Sequence, residues 1–501
     1  MEYIFVGIQM LMNPETMLAI IAGTLTGIVF GALPGLTSTV AVALLIPISF
    51  GMDPIAGVAL LLSAFVGGTS GGSIPAILLN IPGTPSSICT TMDGYPMAKK
   101  GNAGLALGTS LLCSILGGQF SFLALLLFTP ILAELTLQFG PLENLGLVTI
   151  GLLFSVFIVQ GSKIKGFLSL FLGLALSCIG LDTITGSSRW TFHSINLIGG
   201  LNLLPVVVGL LALPQIITEV LGYITTQTQK ETKTIGYSRV TFPSLSKMLA
   251  EWKTILLSSV IGCFVGILPG IGGSVASMTS YMAAKKISKR PETFGQGNIE
   301  GIIAAETSNN AMCGGALIPV LTLAIPGESC TAVLLGGLML HGIRLGPSLF
   351  HEHIDLLYGI IFAFFIANTV MFLVQSCGIR LFVKILKIPK EFLLPPILVL
   401  CVIGTYSIST NLFDVWMLLA FGTIGVLLKK YNYSAIALVM GFILGSMFEK
   451  NLRTAMILYT NVTDLFTRPI ACVLFAVVIG IVVSMIFDNK KKVKNDDKRY
   501  D

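Results

Sequence analysis

Two short stretches of the sequence place hydroxyl, amide and carboxyl side chains directly beside residues that break helices. The first, Gly-Gly-Ser-Ile-Pro-Ala-Ile-Leu-Leu-Asn-Ile-Pro-Gly-Thr-Pro-Ser-Ser at 71–87, carries Ser73 and Asn80 ahead of Pro82-Gly83 and Thr84, Ser86 and Ser87 after it. The second, at 314–331, repeats the Ile-Pro-Gly with Pro326-Gly327 and follows it with Glu328, Ser329 and Thr331. A helix restarting after such a break offers free N–H groups and the positive end of its dipole, which attract carboxylates. The adjoining hydroxyls suit a polyanionic ligand or, with backbone carbonyls, a sodium ion; small residues of this kind also let helices pack closely.

Other polar groups sit nearby. Glu306, Asn309 and Asn310 lie just before the second Gly-Gly, in a segment otherwise suited to a helix. A carboxylate at membrane depth costs about 2–3 kcal/mol, so Glu306 has a partner, couples to a proton, or lies at a wet lip. Glu328 would repel an anion unless protonated or turned to a cation, and it equally suits the cap of its own helix. Asn80, which suits an ion or a broken helix end, has Leu323 as its nearest counterpart in the repeat.

The elements that carry these groups must lie in a membrane. The 501 residues are 54% hydrophobic and 11% charged, against roughly 25% charged in soluble domains. Mean hydropathy is +0.89. The net charge of +6 comes from short Lys/Arg clusters between apolar runs, the pattern of cytoplasmic flanks rather than of nucleic-acid binding. Apolar runs predict an all-α polytopic membrane protein with roughly 11–14 membrane segments, several too short for a full crossing. Nine cysteines without a Cys-x-x-Cys pair indicate neither zinc nor a disulfide framework. No phosphate loop occurs, and neither a metal-ligand cluster nor a serine elbow is expected, so an enzyme is not indicated.

Repeats organise the chain. Gly-Ala-Leu-Pro-Gly at Gly31–Gly35 returns as Gly-Ile-Leu-Pro-Gly at Gly266–Gly270, and the Gly-Gly…Ile-Pro-Gly element follows in both halves. Gly-Gly and Pro-Gly breaks at membrane depth persist only against protein or a water-filled cavity. The expected organisation is a first membrane repeat at 1–225 with a re-entrant tip near 71–87 and a polar cytoplasmic linker at 226–253. A second repeat at 254–455 has its tip near 314–331, before an extra span at 468–487 and a basic cytoplasmic tail at 488–501. Pro34, Gly35, Pro269 and Gly270 are hinge candidates. The first corner is flanked by Glu2, Glu15 and Asp53, the second by Lys247, Lys253, Lys285, Lys286, Lys289 and Arg290, which predicts repeats of inverted topology. Lys450, Arg453 and Arg468 fit this scheme badly, since span counting puts them outside.

The stretches at 31–54, 71–87, 92–108, 304–329, 340–347 and 411–416 together resemble the large membrane subunit of tripartite tricarboxylate transporters, the TctA type. The resemblance runs from about 20 to 487, and Asn-Ile-Pro-Gly-Thr-Pro with Asp-Gly-Tyr-Pro-Met-Ala-Lys is its most specific part. It implies a multi-pass permease of a bacterial cytoplasmic (inner) membrane, working with a small membrane subunit and an extracytoplasmic solute-binding protein. The substrate would be citrate or another carboxylate, symported with Na+ or H+ and without a cofactor. Substrate and ion would bind near Pro82, Gly83, Thr84, Pro326 and Gly327, where Glu328 replaces the small residue expected of many members. The rival expectation is a carboxylate channel or exporter that uses no binding protein.

Overall fold

A computed structural model describes residues 2–136, 138–157, 162–182, 185–225, 239–268, 271–343, 345–346, 349–350, 353–386, 390–459 and 468–500; the hinge candidates Pro269 and Gly270 lie outside them. The described residues form an all-α polytopic membrane protein, with one minor antiparallel pairing of Gly180–Leu181 and Ser188–Arg189. Seven helical segments among them are long and apolar enough to cross a membrane, and six shorter apolar helices accompany these.

In chain order the helices are α1 (Glu2–Leu11), α2 (Pro14–Ala32), α3 (Ser38–Ser49), α4 (Pro54–Gly71), α5 (Ser73–Leu79), α6 (Ile88–Met97), α7 (Ala103–Thr136), α8 (Pro141–Phe157), α9 (Lys163–Ser177), α10 (Leu203–Val207) and α11 (Leu213–Thr225). There follow α12 (Leu245–Ala250), α13 (Trp252–Ile267), α14 (Gly272–Ile287), α15 (Ile299–Leu323), α16 (Ser329–Leu340), α17 (Ile354–Ile385), α18 (Lys390–Ser409), α19 (Leu412–Lys430), α20 (Ala435–Leu458) and α21 (Pro469–Tyr500). They divide into two compact units, 1–133 with 211–415 and 134–210 with 416–501, so both halves of the sequence contribute to each.

In the first unit, glycines set the helix spacing. Along α2, Gly23, Gly27 and Gly31 lie against the α4 backbone, and a Cβ on Gly27 would stand 2.8 Å from the Gly68 nitrogen. Along α13, Gly262 and Gly266 do the same against α15, where a Cβ on Gly266 would stand 2.8 Å from the Ala316 nitrogen. Such close approach lets dispersion contacts hold helices together where no hydrophobic effect acts between them.

The Gly-Gly pairs do not break their helices, contrary to the expectation. Gly72, at φ −59° and ψ −21°, carries α4 directly into α5, and Gly314-Gly315 lie inside α15. They are contact points instead: a Cβ on Gly72 would meet the Ser87 hydroxyl at 2.6 Å, and one on Gly315 would meet the Cys263 Cα at 2.9 Å. The breaks come later, at Asn80 (φ 59°) and Ala324 (φ 55°), each a left-handed residue ending its helix. The next amide reaches back to a proline carbonyl, Ile81 to Pro75 at 3.4 Å and Ile325 to Pro319 at 3.2 Å, which satisfies two otherwise orphaned groups. Asn80 therefore corresponds to Ala324, not Leu323. The chain then doubles back, with the Gly83 amide on the Gly72 carbonyl at 3.2 Å, and restarts as α6 and α16.

Asp93 ties α6 to the loop before α15. Its Oδ1 accepts the amides of Gly295, Gly297 and Asn298 at 2.9, 2.8 and 2.7 Å, and Tyr281 OH donates to Oδ2 at 2.7 Å. Lys100 Nζ reaches the Gln296 carbonyl at 2.7 Å at the same end. With Asp93 beside 295–298 and Thr90 against Glu306, α6 and α15 run antiparallel. At the other end of this unit the Asp53 amide faces Glu15 Oε1 at 3.4 Å and His341 Nε2 lies 3.0 Å from Ser49 Oγ. A cavity of about 530 Å3 opens there, lined by residues that include Asn13, Asp53, His341 and His353.

The second unit packs α20 against α8 and α9. Arg189 binds Glu449 in a two-pronged pair at 2.6 and 3.1 Å, and Arg453 binds Asp182 at 2.8 Å and Glu449 at 3.2 Å. Arg468 meets the buried Glu143 at 3.3 Å. Two of the cations that fitted the charge pattern badly are thus held against local carboxylates.

Valine at Gly266 is expected to force α13 off α15, costing about 1–3 kcal/mol, and to lower the melting temperature of the detergent-solubilised protein. Asp93→Ala leaves three amides and a phenol unpaired, a loss of roughly 1–3 kcal/mol or more. Proteolysis within 291–298 should then accelerate, whereas wild-type cleavage rates would contradict the tie.

Candidate functional site

The restarted helices are capped by their own first turns. Thr84 opens the 3-10 turn Pro85–Ser87 leading into α6, and its hydroxyl lies 3.0 Å from Ser86 Oγ and 2.9 Å from Ser87 Oγ. Ser87 Oγ in turn accepts the Thr84 amide at 3.2 Å. Glu328 opens α16 in the same manner: its carboxylate accepts the Thr331 amide, and Thr331 Oγ1 accepts the Glu328 amide at 2.9 Å. These reciprocal boxes satisfy donors that a helix start leaves free. Of the open readings of Glu328, the cap is the one observed.

Both restarts reach the beginning of α14. A Cβ on Gly273 would stand 2.7 Å from the Ser86 Cβ, and Ser277 Oγ donates to the Ser86 carbonyl at 2.8 Å. Gly272, at φ 69°, faces Glu328, whose Oε2 would lie 3.4 Å from a Cβ there. The start of α3 joins the group, since α3 packs on α16 and a Cβ on Gly68, next to Thr69, would stand 2.6 Å from the Ser38 Cβ. Four helix starts, those of α3, α6, α14 and α16, are therefore gathered in one region of the first unit, each presenting the positive end of a dipole.

Asn309 and Asn310 point to different places. Asn309 Nδ2 faces the Thr69 carbonyl at 3.5 Å, while its Oδ1 is buried without a hydrogen-bond partner and would lie 3.0 Å from a Cβ on Gly273. Asn310 turns to α7, donating to Ser114 Oγ at 2.9 Å. There it neighbours Glu306, which is fully buried, accepts from Thr90 Oγ1 and lies 3.4 Å from Ser114 Oγ. Among the described residues no Lys, Arg or His pairs with Glu306.

The remaining candidates divide plainly. Thr84, Ser86, Asn309 and Glu328 come together at α14, and Ser329 begins α16 beside them. Asn80 is exposed and ends α5, and Ser73 spends its hydroxyl on the Ser70 carbonyl at 2.8 Å. Gly83 and Gly327 are close-approach positions: a Cβ on Gly83 would stand 2.8 Å from the Gly72 Cα, and one on Gly327 would stand 2.8 Å from the Gly266 carbonyl. Pro82 and Pro326 shape the two turns. Gly35, at φ 92° after Pro34, faces the Glu219 side chain. Sequence reasoning missed Thr90, Ser114 and Ser277, whose only signal was hydroxyls at the margins of apolar runs, and it read Asp93 only as part of the Asp-Gly-Tyr-Pro-Met-Ala-Lys motif. Gly68-Thr69-Ser70-Gly71-Gly72 does have the Gly-x-Ser-x-Gly spacing, but it lies at the end of α4 where Gly72 continues into α5, and Ser70 donates to Gln375 Oε1 at 2.9 Å rather than to a base. No metal-holding group of His, Cys, Asp and Glu occurs among the described residues.

Comparison with known proteins gives the family. Residues 17–440 match the Tripartite tricarboxylate transporter TctA family. An uncharacterized 52.8 kDa protein in the TAR-I ttuC' 3'region of Agrobacterium vitis is 37% identical over 480 residues, covering 95% of this chain and 94% of its own. An uncharacterized protein in the TAR-II ttuC' 3'region of the same organism is 39% identical over 211 residues, 42% of this chain and 87% of its own. No solved structure matches. The chain belongs to the TctA family of tripartite tricarboxylate transporters, and it is a multi-pass membrane transport protein rather than an enzyme.

Proposed function

We propose that this chain is the large permease subunit of a secondary transporter that imports citrate or a related organic acid by symport with Na+ or H+. It receives its substrate from an extracytoplasmic binding protein, works beside a small membrane subunit, and lies in a bacterial cytoplasmic membrane. The observation that carries this reading is the gathering of four helix starts around Thr84, Ser86, Asn309 and Ser329. Helix starts stabilise anions without a fixed cationic side chain, so a carboxylate is held firmly yet not irreversibly. Gly83 folds its turn onto Gly72 and Gly327 folds its turn near Gly266, while Ser86 and Glu328 from the two turns both reach the start of α14.

The matching order of elements supports repeats of inverted topology, at 1–225 and 254–455, as does the direction of α5. Alongside it α6 runs in the same sense, with Ser87 at Gly72 and Gly94 at Ile77, and antiparallel to α15, the counterpart of α5. Under the positive-inside rule the end holding Lys99, Lys100, Lys285 and Lys286 is cytoplasmic, and the end holding Glu15 and Asp53 meets the binding protein. Two compact units, each built from both halves, favour rigid-body movement of one unit during transport. Glu306 is the coupling group: a buried carboxylate with hydroxyl donors and, among the described residues, no paired side-chain cation takes its counter-charge from the transported ion.

Ser86→Ala and Asn309→Ala are each expected to lower uptake of labelled citrate, or of whichever acid the binding protein delivers, by about tenfold with membrane levels unchanged. Normal uptake by both variants in right-side-out vesicles carrying the complete transporter would sink the site. Glu306→Gln should abolish accumulation driven by a Na+ or H+ gradient while leaving exchange of internal for external substrate. Gradient-driven accumulation at the wild-type level would remove Glu306 from coupling.

A further inference from the structure

We infer that the connection at 180–200, in the second unit, is a wedge that lies in lipid. Trp190, Phe192, Ile195 and Ile198 sit among the headgroups and upper acyl chains of the leaflet opposite the unit's basic end. Nothing in this contact depends on the carboxylate site of the first unit.

The segment is firmly shaped for a connection. Gly180 and Leu181 pair with Arg189 and Ser188, the Leu181 amide donates to the Ile198 carbonyl at 3.1 Å, and a Cβ on Gly180 would stand 2.8 Å from the Gly200 Cα. Between these crossings the chain closes on itself, the amides of Ser194, Leu197, Ile198 and Gly200 each donating to the carbonyl three residues back at 2.8, 3.1, 3.2 and 3.1 Å. Trp190, Phe192 and His193 hold left-handed φ values of 55°, 46° and 58°, a conformation that bulky residues keep only where their surroundings impose it. Arg189 and Arg453 clamp the base onto α20 through Glu449 and Asp182, two cations against two carboxylates, so the clamp carries no net charge. The shape thus fixed leaves large apolar groups outside: Trp190 is 67% exposed, Phe192 77% and Ile195 84%. No Asp, Glu, Lys or Arg occurs between Arg189 and Glu219.

Helix length tells what covers this face. At the opposite end of the unit Lys165 donates to the Tyr431 carbonyl at 2.8 Å and lies over the Tyr433 ring, and Lys430 lies over the Tyr431 ring, the company of cations and aromatic rings that marks headgroup level. From there α9 rises for 15 residues, about 22 Å of helix, whereas the hydrocarbon core is about 30 Å thick. The hairpin that follows at Gly180 therefore begins short of the far edge of the core, and any tilt of α9 sets it deeper. Ile164, Leu168, Phe171 and Ala175, spaced along one face of α9, are exposed in the same way, and so are Met456, Ile457 and Leu458 on α20, beyond Arg453. A soluble partner would have to pass the headgroups to reach such residues, while lipid meets them directly. Irregular backbone is tolerated at this depth because the turns bond internally and the base is clamped to protein. An indole, apolar in body with one N–H, suits the boundary itself.

The chain has three tryptophans, so Trp252→Phe with Trp416→Phe, both at exposed positions, leaves Trp190 as the only indole. This full-length variant is reconstituted in vesicles of phosphatidylcholine with a minority of phosphatidylglycerol, the phosphatidylcholine brominated either near the headgroup or near the chain end. Emission from Trp190 is expected to fall by about half or more with the shallow bromines, to fall less with the deep ones, and to resist quenching by aqueous acrylamide. Ile195→Trp, in a chain whose three native tryptophans are replaced by Phe, reads the same face from a short 3-10 turn of ordinary φ and is expected to give the same order. Emission untouched by bromine at either depth and freely quenched by acrylamide, at both reporters, overturns the wedge and leaves the face to a soluble partner. Neither outcome touches the uptake expected of Ser86→Ala and Asn309→Ala, which tests the carboxylate site separately.

Discussion

A helix interrupted inside a bilayer exposes N–H and C=O groups to a medium that cannot hydrogen-bond them, and the first unit is arranged around that constraint. At each Ile-Pro-Gly turn the last helical residue goes left-handed, the next amide bonds back to a proline carbonyl, and the restarted helix caps itself. Only a few groups remain to be satisfied by other parts of the protein. Those groups lie at the start of α14, where the two turns arrive from separate halves of the chain. The interruption therefore both requires the close packing around it and creates the polar surface that a ligand would use.

Close packing is supplied mainly by glycine. Gly27, Gly31, Gly262 and Gly266 let backbones approach to distances that a Cβ would forbid, and Gly72, Gly83, Gly315 and Gly327 extend the same device into the turns. This explains why the Gly-Gly pairs stand where they do without interrupting any helix. Glycine carries two meanings in such a protein, a backbone freedom and an absence of volume, and here absence of volume dominates. Backbone freedom is used at the Leu-Pro-Gly corner, where Gly35 has φ 92°.

The polar residues separate into three environments. At the turns, hydroxyls, an orphaned amide oxygen and the Glu328 carboxylate surround converging helix starts. One turn earlier on α15, Glu306 lies among hydroxyls of α6 and α7, with no paired side-chain cation among the described residues. Near the basic end, Asp93 is saturated by three amides and a phenol, a fully satisfied arrangement that fixes α6 to the loop before α15. The side chains are of similar types, yet their hydrogen-bond states differ. The first two hold groups without a full set of partners, and the third is completely satisfied.

Local chemistry was legible in the sequence by itself. Hydropathy gave a helical membrane protein, Pro-Gly pairs marked the two turns, and the motifs around them gave the family. These are properties of neighbouring residues, set by transfer free energy and by the backbone limits of proline and glycine. Only the tertiary structure decided that Asn309 serves the turns while Asn310 serves Glu306, because a rotation of one residue on a helix changes its neighbours completely. It also decided that Asp93 is a tie, and that Arg453 and Arg468 are paired with Asp182 and Glu143, carboxylates far away in the sequence. Each of these depends on which distant segment supplies a donor, an acceptor or a vacant Cβ position. Pairings across more than two hundred residues leave no trace in local periodicity.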